Sequence, residues 1–268
     1  MSSITTGNAQ QYADSRKLAA RARLHQEYTV TEVPWFPWVA GQLPLGPGDS
    51  VLDIGCGPGW FWAAAANVVP DRLHLTLADQ SAGMIEEAVR RCEALRLASV
   101  EGQQADAGRL PFADASFDVV VAMHMLYHVA DPAAGIAEMF RVLKPGGTLA
   151  VTTNGAGNLR EMYALTTVLG SAPVDPSAVT FGYDIAQRLM GLQFGNVGMT
   201  EHPASLRVTE AEDVFLALTS YPPGDGASQS QLKALREAID AAFGRGNGVL
   251  EIHKEAGLFL SRKTTGPA

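Results

Sequence analysis

The stretch VLDIGCGPGW, residues 51–60, decides the fold class of this chain. Its apolar first half is typical of a buried strand, and Gly55, Gly57 and Gly59 then form a turn into the Ala-rich segment 60–69. Glycine tolerates unusual backbone dihedrals and lets the main chain approach a ligand closely. The spacing is GxGxG and not the GxGxxG of dinucleotide sites, so the turn argues against a dehydrogenase.

Short β-rich runs alternate with amphipathic helical segments from this turn to residue 153. Such alternation predicts right-handed βαβ units around a mostly parallel sheet. The predicted strands here are 50–54, 73–78, 99–105, 117–123 and 148–153, with helices at 81–95 and 133–143. Beyond residue 153 we predict helices at 159–170, 184–192, 210–220 and 229–243, a strand at 197–208, and an extended segment at 249–262 that kinks near Gly257.

Composition and charge limit the classes of protein to which this chain can belong. The 268 residues are 47% hydrophobic and 18% charged, as in ordinary globular proteins. The net charge is −8 and basic residues come at most in adjacent pairs, so no patch that would neutralise nucleic-acid phosphates is evident. Cys56 and Cys92 lack metal-like spacing, and neither a signal peptide nor a membrane-spanning run is present. We therefore expect a cytoplasmic protein with reduced thiols and with neither nucleic-acid nor membrane partners.

Residues 1–45 differ from the remainder in their aromatic content. Five of the 20 aromatic residues of the chain lie here: Tyr12, Tyr28, Trp35, Phe36 and Trp38. Helical spacing between residues 14 and 26 predicts a helix that packs onto the sheet domain. The alternative, compatible with the first, is a helical lid that covers the active site and supplies aromatic walls to a pocket. We therefore predict a lid segment at 1–45 and one domain at 46–268.

Three acidic residues lie at the ends of predicted strands or directly after them. Asp53 precedes Gly55 by two positions, Asp79 ends the second strand, and Asp106 follows the third strand. Open α/β sheets bind ligands at the carboxyl ends of their strands, and an acid after the second strand can accept both hydroxyls of a ribose. The alternative for Asp53 and Asp79 is a purely structural role as a helix cap or turn former.

Several motifs in residues 50–153 together resemble the class I S-adenosylmethionine-dependent methyltransferases. They are D-x-G-x-G-x-G, the acid after the second strand, A-D-x-x-x-L-P-F, F-D-V-V and L-K-P-G-G, in that order. Within this family the chain resembles the small-molecule type, of which ubiquinone- and sterol-methylating enzymes are typical. The lead segment YADSRKLAARARLH and the segment TTNGAGNLREM after the fifth strand also resemble a bacterial group of specialised metabolism. The resemblance implies an α/β fold, a doubly wound, mostly parallel, seven-stranded Rossmann-like sheet. It also implies S-adenosylmethionine as cofactor and S-adenosylhomocysteine as product.

The resemblance also implies which residues bind the cofactor. Gly55 and Gly57 would lie against its methionine part, Asp53 would hold its amino group directly or through water, and Asp79 would bind the ribose. The full set implied is Tyr12, Arg21, Asp53, Gly55, Gly57, Gly59, Asp79, Gln80, Met84, Asp106, Ala107 and Met123. Of these, Tyr12 and Arg21 would close over the methionine carboxylate.

The adenine would lie further along the same edge. The resemblance places Gln80 and Met84 beside the ring, and Asp106 as acceptor for its exocyclic amine with Ala107 nearby. For Met84, packing in the core is the alternative. Met123 leaves the fourth strand where substrate and methionine part would meet.

Candidates for catalysis cluster in the segment that follows the fourth strand. Methyl transfer needs in-line alignment at roughly 3–3.5 Å, and a base only if the nucleophile carries a proton that must leave. Histidine suits that task because its unperturbed pKa is near neutrality. The candidates are His124, Tyr127 and His128, with Tyr28 and His25 from the lead segment. The alternative is that the histidines only pack and hydrogen-bond within the loop.

Other chemistries lack their sequence signatures. His124, His128 and Asp131 have no further ligand at metal-like spacing, so we expect no metal. Neither a GxSxG elbow nor the N-P-P-Y segment of adenine- or glutamine-methylating enzymes is present. The sequence therefore predicts methylation of a small aromatic or heteroaromatic metabolite, such as C-methylation of an indole or phenol, by a monomer or homodimer. O- or N-methylation of a small molecule or peptide, and a non-catalytic sensor that binds the cofactor, remain alternatives.

Overall fold

The computed structural model describes residues 15–220 and 222–264, with side chains from residue 22 onward. Contacts divide the chain into two compact units. The larger unit comprises Val33–Thr153, Phe181–His202 and Gly257–Ala268, and the smaller unit comprises Met1–Glu32, Asn154–Thr180 and Pro203–Ala256. The boundary that we predicted at residue 45 differs from this division, since residues 33–45 belong to the larger unit. The lid role of residues 1–45 stays a prediction.

The described elements follow one another in an order that departs from strict alternation after the sixth strand. The strands are β1 Thr29–Val30, β2 Ser50–Ile54, β3 His74–Asp79, β4 Ser99–Gln104, β5 Phe117–Met123, β6 Leu143–Asn154, β7 Gly198–Glu201, β8 Ser205–Val208, β9 Leu250–His253 and β10 Ala256–Arg262. The α-helices are α1 Ser15–Tyr28, α2 Trp35–Ala40, α3 Trp60–Ala64, α4 Ala82–Cys92, α5 Pro132–Val142, α6 Arg160–Leu165, α7 Pro176–Phe181, α8 Tyr183–Phe194, α9 Ala211–Thr219 and α10 Gln229–Arg245.

The larger unit is built on a seven-stranded sheet of order β4-β3-β2-β5-β6-β10-β7. The first five strands in this order pair in parallel, and β7 pairs antiparallel with β10. This confirms the predicted doubly wound, mostly parallel sheet. The order reverses direction next to β2, so the carboxyl ends of β2, β3 and β5 meet at the crevice where such folds bind ligands.

Strand β5 shows why these residues form a central strand. Val120 belongs to the apolar core that contains Ile136 of α5, whereas Val121 belongs to the core that contains Trp62 of α3. Successive side chains of a strand point to opposite faces, and both faces are covered here. The sequence of a strand that is buried on both faces is a nearly continuous apolar run, and FDVVVAM has this pattern.

Two extended segments near the C-terminus are interrupted, contrary to our prediction. The segment 197–208 forms β7 and β8, which belong to different sheets and are separated at His202 and Pro203. Proline lacks the N–H that a continuing ladder needs. The segment 249–262 likewise forms β9 and β10 in different sheets, and its break lies at 254–255 instead of Gly257. Gly257 pairs with Glu201 inside the larger sheet.

The smaller unit holds a three-stranded antiparallel sheet of order β1-β8-β9. Its own apolar core joins Leu24 of α1, Val214 of α9 and Leu235 and Ile239 of α10. None of the helices in the described part of the chain combines the length and the apolar character needed to cross a membrane.

Candidate functional site

The glycine turn after β2 forms one wall of the candidate site. Gly55, Gly57 and Gly59 all have positive φ, at +73°, +51° and +74°. A Cβ at Gly57 would meet no heavy atom of the described residues within 4 Å, so the backbone here faces open space. A Cβ at Gly59 would lie 2.9 Å from the Cα of Ala88, so α4 packs directly against the turn. The turn thus offers bare main chain to a ligand at Gly57 and needs glycine for close packing at Gly59.

Asp79 at the end of β3 is bound to the glycine turn. Its Oδ2 accepts the Gly57 N–H at 3.0 Å, and its Oδ1 accepts the Ser81 N–H at 2.9 Å. An ionised carboxylate has about four lone-pair sites, so two acceptor sites remain for a ligand. The turn-forming role is therefore present, and it leaves capacity for a ribose.

Asp53 at the end of β2 is buried, with 1% of its surface exposed. Its Oδ2 accepts the indole N–H of Trp62 at 2.8 Å, whereas its Oδ1 accepts no hydrogen bond from any described residue. Burial raises the pKa of Asp53 to about 7, the Trp62 bond opposes this rise, and the charge of Asp79 adds to it. A buried carboxylate oxygen without a donor is costly, so this atom is suited to receive a cationic N–H donor.

Gln80 and Met84 follow β3 at the start of α4. Ser81 caps this helix, and its side chain accepts the Met84 N–H at 3.4 Å. Met84 is half-buried, whereas Gln80 is exposed and its carbonyl oxygen accepts a hydrogen bond from Gln104 at 2.8 Å. Both residues therefore lie at the edge where β3 and β4 end. Their predicted places beside an adenine stay predictions.

Asp106 and Ala107 follow β4. The carboxylate of Asp106 is exposed, and its Oδ1 accepts the Gly108 N–H at 2.8 Å in a tight turn. Ala107 is buried in the core of the larger unit. The Asp106 side chain thus keeps acceptor sites open at the same edge of the sheet as Asp79.

His124 and Met125 form the exit from β5, and Met125 contacts the glycine turn. His124 has φ +49°, a conformation that is uncommon for a residue with a side chain. Its N–H donates to the carbonyl oxygen and to Oγ1 of Thr152 at 3.2 and 3.0 Å. Met125, one residue on, packs so closely on Gly55 that a Cβ there would lie 2.7 Å from the Met125 Cβ. Strained backbone of this kind clusters at functional sites.

Tyr127 and His128 lie in the 3₁₀ turn Leu126–His128 that follows. Their rings are 4.5 Å apart, and the His128 N–H donates to the Met125 carbonyl at 2.9 Å. Tyr127 packs against the apolar core that contains Ile136. Both residues thus lie in the exit loop of β5, as predicted from the sequence, and their catalytic roles stay predictions.

The ring of His124 lies against Trp35 of α2, within a cluster of aromatic rings. The Trp35 and Trp38 rings stack at 5.5 Å, and the Trp35 ring lies 5.4 Å from the His124 ring. His202, 1% exposed, lies 5.3 Å from Trp35 and 4.9 Å from Trp38, and its Nε2 is 2.8 Å from the Val33 carbonyl. Sequence analysis did not identify His202 as a candidate. In the sequence it looks like an ordinary loop histidine before a proline, and only its burial in the structure sets it apart.

The remaining candidates belong to the smaller unit or fall outside the described residues. The Tyr28 hydroxyl donates to Asp213 at 2.5 Å, and burial together with this bond raises the pKa of Tyr28. His25 accepts a hydrogen bond from Thr29 through its carbonyl oxygen. Tyr12 and the side chain of Arg21 lie outside the described residues. All four assignments stay predictions.

Neither thiol has the character of a nucleophile. Cys56 and Cys92 are both free and buried. Burial raises the pKa of the Cys56 thiol far above its usual range and that of Cys92 to about 12. In the described ranges, no three His, Cys, Asp or Glu side chains form a group that could hold a metal ion.

Comparison with known proteins connects this site to one class of enzyme. Residues 52–151 match a family model described as a methyltransferase domain. The chain is 39% identical over 120 residues to the malonyl-[acyl-carrier protein] O-methyltransferase of Erwinia billingiae, covering 44% of this chain and 43% of that protein. It is 43% identical over 109 residues to the demethylmenaquinone methyltransferase of Beutenbergia cavernae, covering 41% and 42%. The match thus spans less than half the length of both relatives.

A solved structure supports the fold over a longer range. The YcgJ protein from Bacillus subtilis superposes with a TM-score of 0.58 at 20% identity, covering 86% of this chain and 98% of that one. At this identity the likeness concerns the fold alone. The stretch that matches the family model contains the glycine turn, Asp79, Asp106 and His124.

Proposed function

Because residues 52–151 match a family model described as a methyltransferase domain, we propose that this protein is a class I methyltransferase that transfers a methyl group from S-adenosylmethionine to a small metabolite. The observation that carries the proposal is the pairing of Gly57 with Asp79 at the carboxyl edge of the sheet. Bare main chain that faces open space lies there beside a carboxylate with free acceptor sites. The activity and substrate of the whole chain are inferred from this site.

The residues present fit the cofactor. Asp79 would accept the two ribose hydroxyls, because its two backbone bonds fix the carboxylate and leave two acceptor sites. Asp53 would accept the ammonium group of the methionine part through Oδ1, which has no other donor among the described residues. Gly57 would admit the methionine part against the main chain. S-adenosylmethionine, when bound, supplies an electrophilic methyl group on a sulfonium.

The protein's own contribution to the reaction is alignment and exclusion of water. Holding two reacting groups at roughly 3–3.5 Å in line supplies on the order of 7–11 kcal/mol. His124 is suited to remove a proton from an acceptor, because two hydrogen bonds to Thr152 fix its backbone and its ring lies beside Trp35. The Trp35 face would stabilise a cation by about 0.5–2 kcal/mol.

We propose a planar aromatic or heteroaromatic acceptor, with C-methylation of an indole or phenol as the leading reaction. The support is the ring cluster of Trp35, Trp38, His124 and His202 beside the exit of β5. Planar rings stack favourably on such a surface. O- or N-methylation is the second candidate, because His124 would serve equally as base for a hydroxyl or amine. The free thiols Cys56 and Cys92 fit a reducing compartment such as the cytoplasm.

A mass-spectrometric screen tests this function. The purified protein and S-adenosylmethionine are mixed with panels of indoles, phenols, amines, sugars and short peptides. We expect a one-methyl mass gain among the indoles or phenols, with formation of S-adenosylhomocysteine in equal amount. Asp79→Ala serves as the control without a ribose site. Cofactor binding without product from any class of acceptor would contradict the proposed methyltransferase activity and favour a non-catalytic sensor of the cofactor.

A further inference from the structure

The two oxygens of the Asp53 carboxylate differ in their hydrogen-bond partners. Asp53 Oδ1 accepts nothing from the described residues, although the carboxylate is buried. Its Oδ2 is bound by the indole N–H of Trp62, nine residues later in the chain. The two oxygens of one buried carboxylate are therefore in different chemical situations, one satisfied and one open.

Trp62 is well suited to fix this carboxylate. The side chain is 0% exposed and its ring packs edge-on against Phe61, with centroids 4.8 Å apart. An indole N–H is a donor only and does not titrate, so its bond to Asp53 has one polarity at every pH. Because α3 begins directly after the glycine turn, Trp62 connects that turn to the end of β2.

We propose that Trp62 is a positioning residue for the cofactor: its indole N–H holds Oδ2 of Asp53 and thereby reserves Oδ1 for the cofactor's ammonium group. This inference rests on the proposed function, since it needs an aminoacyl ligand at Asp53. Trp62 itself touches neither the cofactor nor the acceptor in this account.

The pH dependence of binding separates this role from packing. The ammonium group prefers ionised Asp53, and the pKa of Asp53 is raised to about 7, so affinity falls as the pH drops below 7. Trp62 donates to the ionised form, and its loss raises this pKa further. Hydrogen bonds to charged groups are strong enough that, without Trp62, the acid limb should extend upward by about one to two pH units, so that affinity still climbs between pH 7 and 8 where that of the unmodified protein levels off.

The other titratable groups near Asp53 do not obscure the fall of ligand affinity at low pH. Asp79 faces it from the end of β3 and adds negative charge. The thiols of Cys56 and Cys92 stay neutral, because burial raises their pKa values. The ligand's own amino group loses its proton above about pH 8, so the acid limb is read below that pH.

Calorimetric titration with S-adenosylhomocysteine between pH 5.5 and 8 tests the inference. Trp62→Phe should shift the acid limb upward and weaken binding at pH 7 by about 5- to 50-fold, the change in ionised fraction that such a pKa rise causes. Trp60→Phe is the matched control in the same helix and should leave the limb in place. In an Asp53→Asn background, Trp62→Phe should have no pH-dependent effect.

A second ligand reports on the fold of the pocket. 5′-Methylthioadenosine lacks the amino and carboxyl groups, so Trp62→Phe should bind it as the unmodified protein does. A loss of S-adenosylhomocysteine affinity that is equal at every pH, or shared by 5′-methylthioadenosine, would overturn the inference and leave the proposed function standing. Failure of the unmodified protein to bind S-adenosylhomocysteine would refute the proposed function itself.

The unmodified protein with Trp62 in place offers a further test. In protein labelled with ¹⁵N-tryptophan, the indole resonance of Trp62 should titrate with Asp53 near pH 7 and shift again when S-adenosylhomocysteine binds. The same resonance should not titrate in Asp53→Asn. An indole resonance that is indifferent to pH in the unmodified protein would overturn the inference.

Discussion

Replacing Asp79 by alanine should weaken cofactor binding by several orders of magnitude while the protein still folds. In the structure the carboxylate accepts the N–H groups of Gly57 and Ser81, and in the proposed complex it also accepts two ribose hydroxyls. Hydrogen bonds to a charged group contribute roughly 1.5–3 kcal/mol each, so two ribose bonds give roughly 3–6 kcal/mol. At about 1.4 kcal/mol per factor of ten, affinity should fall about 10²- to 10⁴-fold.

The fold should tolerate this change. The two N–H groups that lose Asp79 lie beside a half-buried position where water can replace the carboxylate. We expect a loss of stability of about 1–3 kcal/mol, which for a chain of this size lowers the melting temperature by several degrees. Asp131→Ala is the matched control, since Asp131 caps α5 through the Ala134 N–H and lies outside the proposed site.

Calorimetric titration with S-adenosylhomocysteine, alongside scanning calorimetry of each variant, measures both effects. Asp131→Ala should lose about 0.5–2 kcal/mol of stability and keep its affinity for the ligand. An Asp79→Ala protein that is folded and binds within threefold of the unmodified chain would remove the ribose assignment. Asp79 would then be a turn former only.

Three further perturbations test other parts of the account. His124→Asn should keep the positive φ, which asparagine tolerates, and should lower kcat far more than cofactor affinity; an unchanged kcat would reduce His124 to a packing role. Tyr28→Phe should lower the melting temperature, because it removes the bond to Asp213, and should barely change kcat, because the raised pKa of Tyr28 disfavours it as a base. A large drop in kcat of this folded variant would restore Tyr28 as a catalytic residue. Cys56 and Cys92 should resist a thiol reagent at pH 8 until guanidinium unfolds the protein, since burial raises both pKa values; rapid labelling of native protein would contradict their burial.

The sheet was predictable because its strands carry a strong local signal. FDVVVAM is apolar along its length since both faces of β5 are covered, and its bounds in the structure match the prediction. The acid that ends β3 was likewise visible, because a motif fixes its distance from the glycine turn. Such features depend on residues close together in sequence.

The features that escaped prediction depend on contacts between distant segments. Strand β1 has only two residues and pairs with β8, which lies more than 170 residues later in the chain. No local sequence pattern therefore predicts this pairing. The continuous-looking segments 197–208 and 249–262 each divide between two sheets, because tertiary pairing outweighs local β-propensity. The Trp62 bond to Asp53 spans a turn and a helix start, and no spacing rule predicts it.

The most direct test of the central claim is a titration of ¹⁵N-labelled protein with S-adenosylhomocysteine, followed by NMR. We expect saturation at one ligand per chain, with shifts of the Gly57 amide and the Trp62 indole, and no such shifts with NAD. Shifts that are absent, or that exclude the glycine turn and Trp62, would contradict a cofactor site at the carboxyl edge of this sheet.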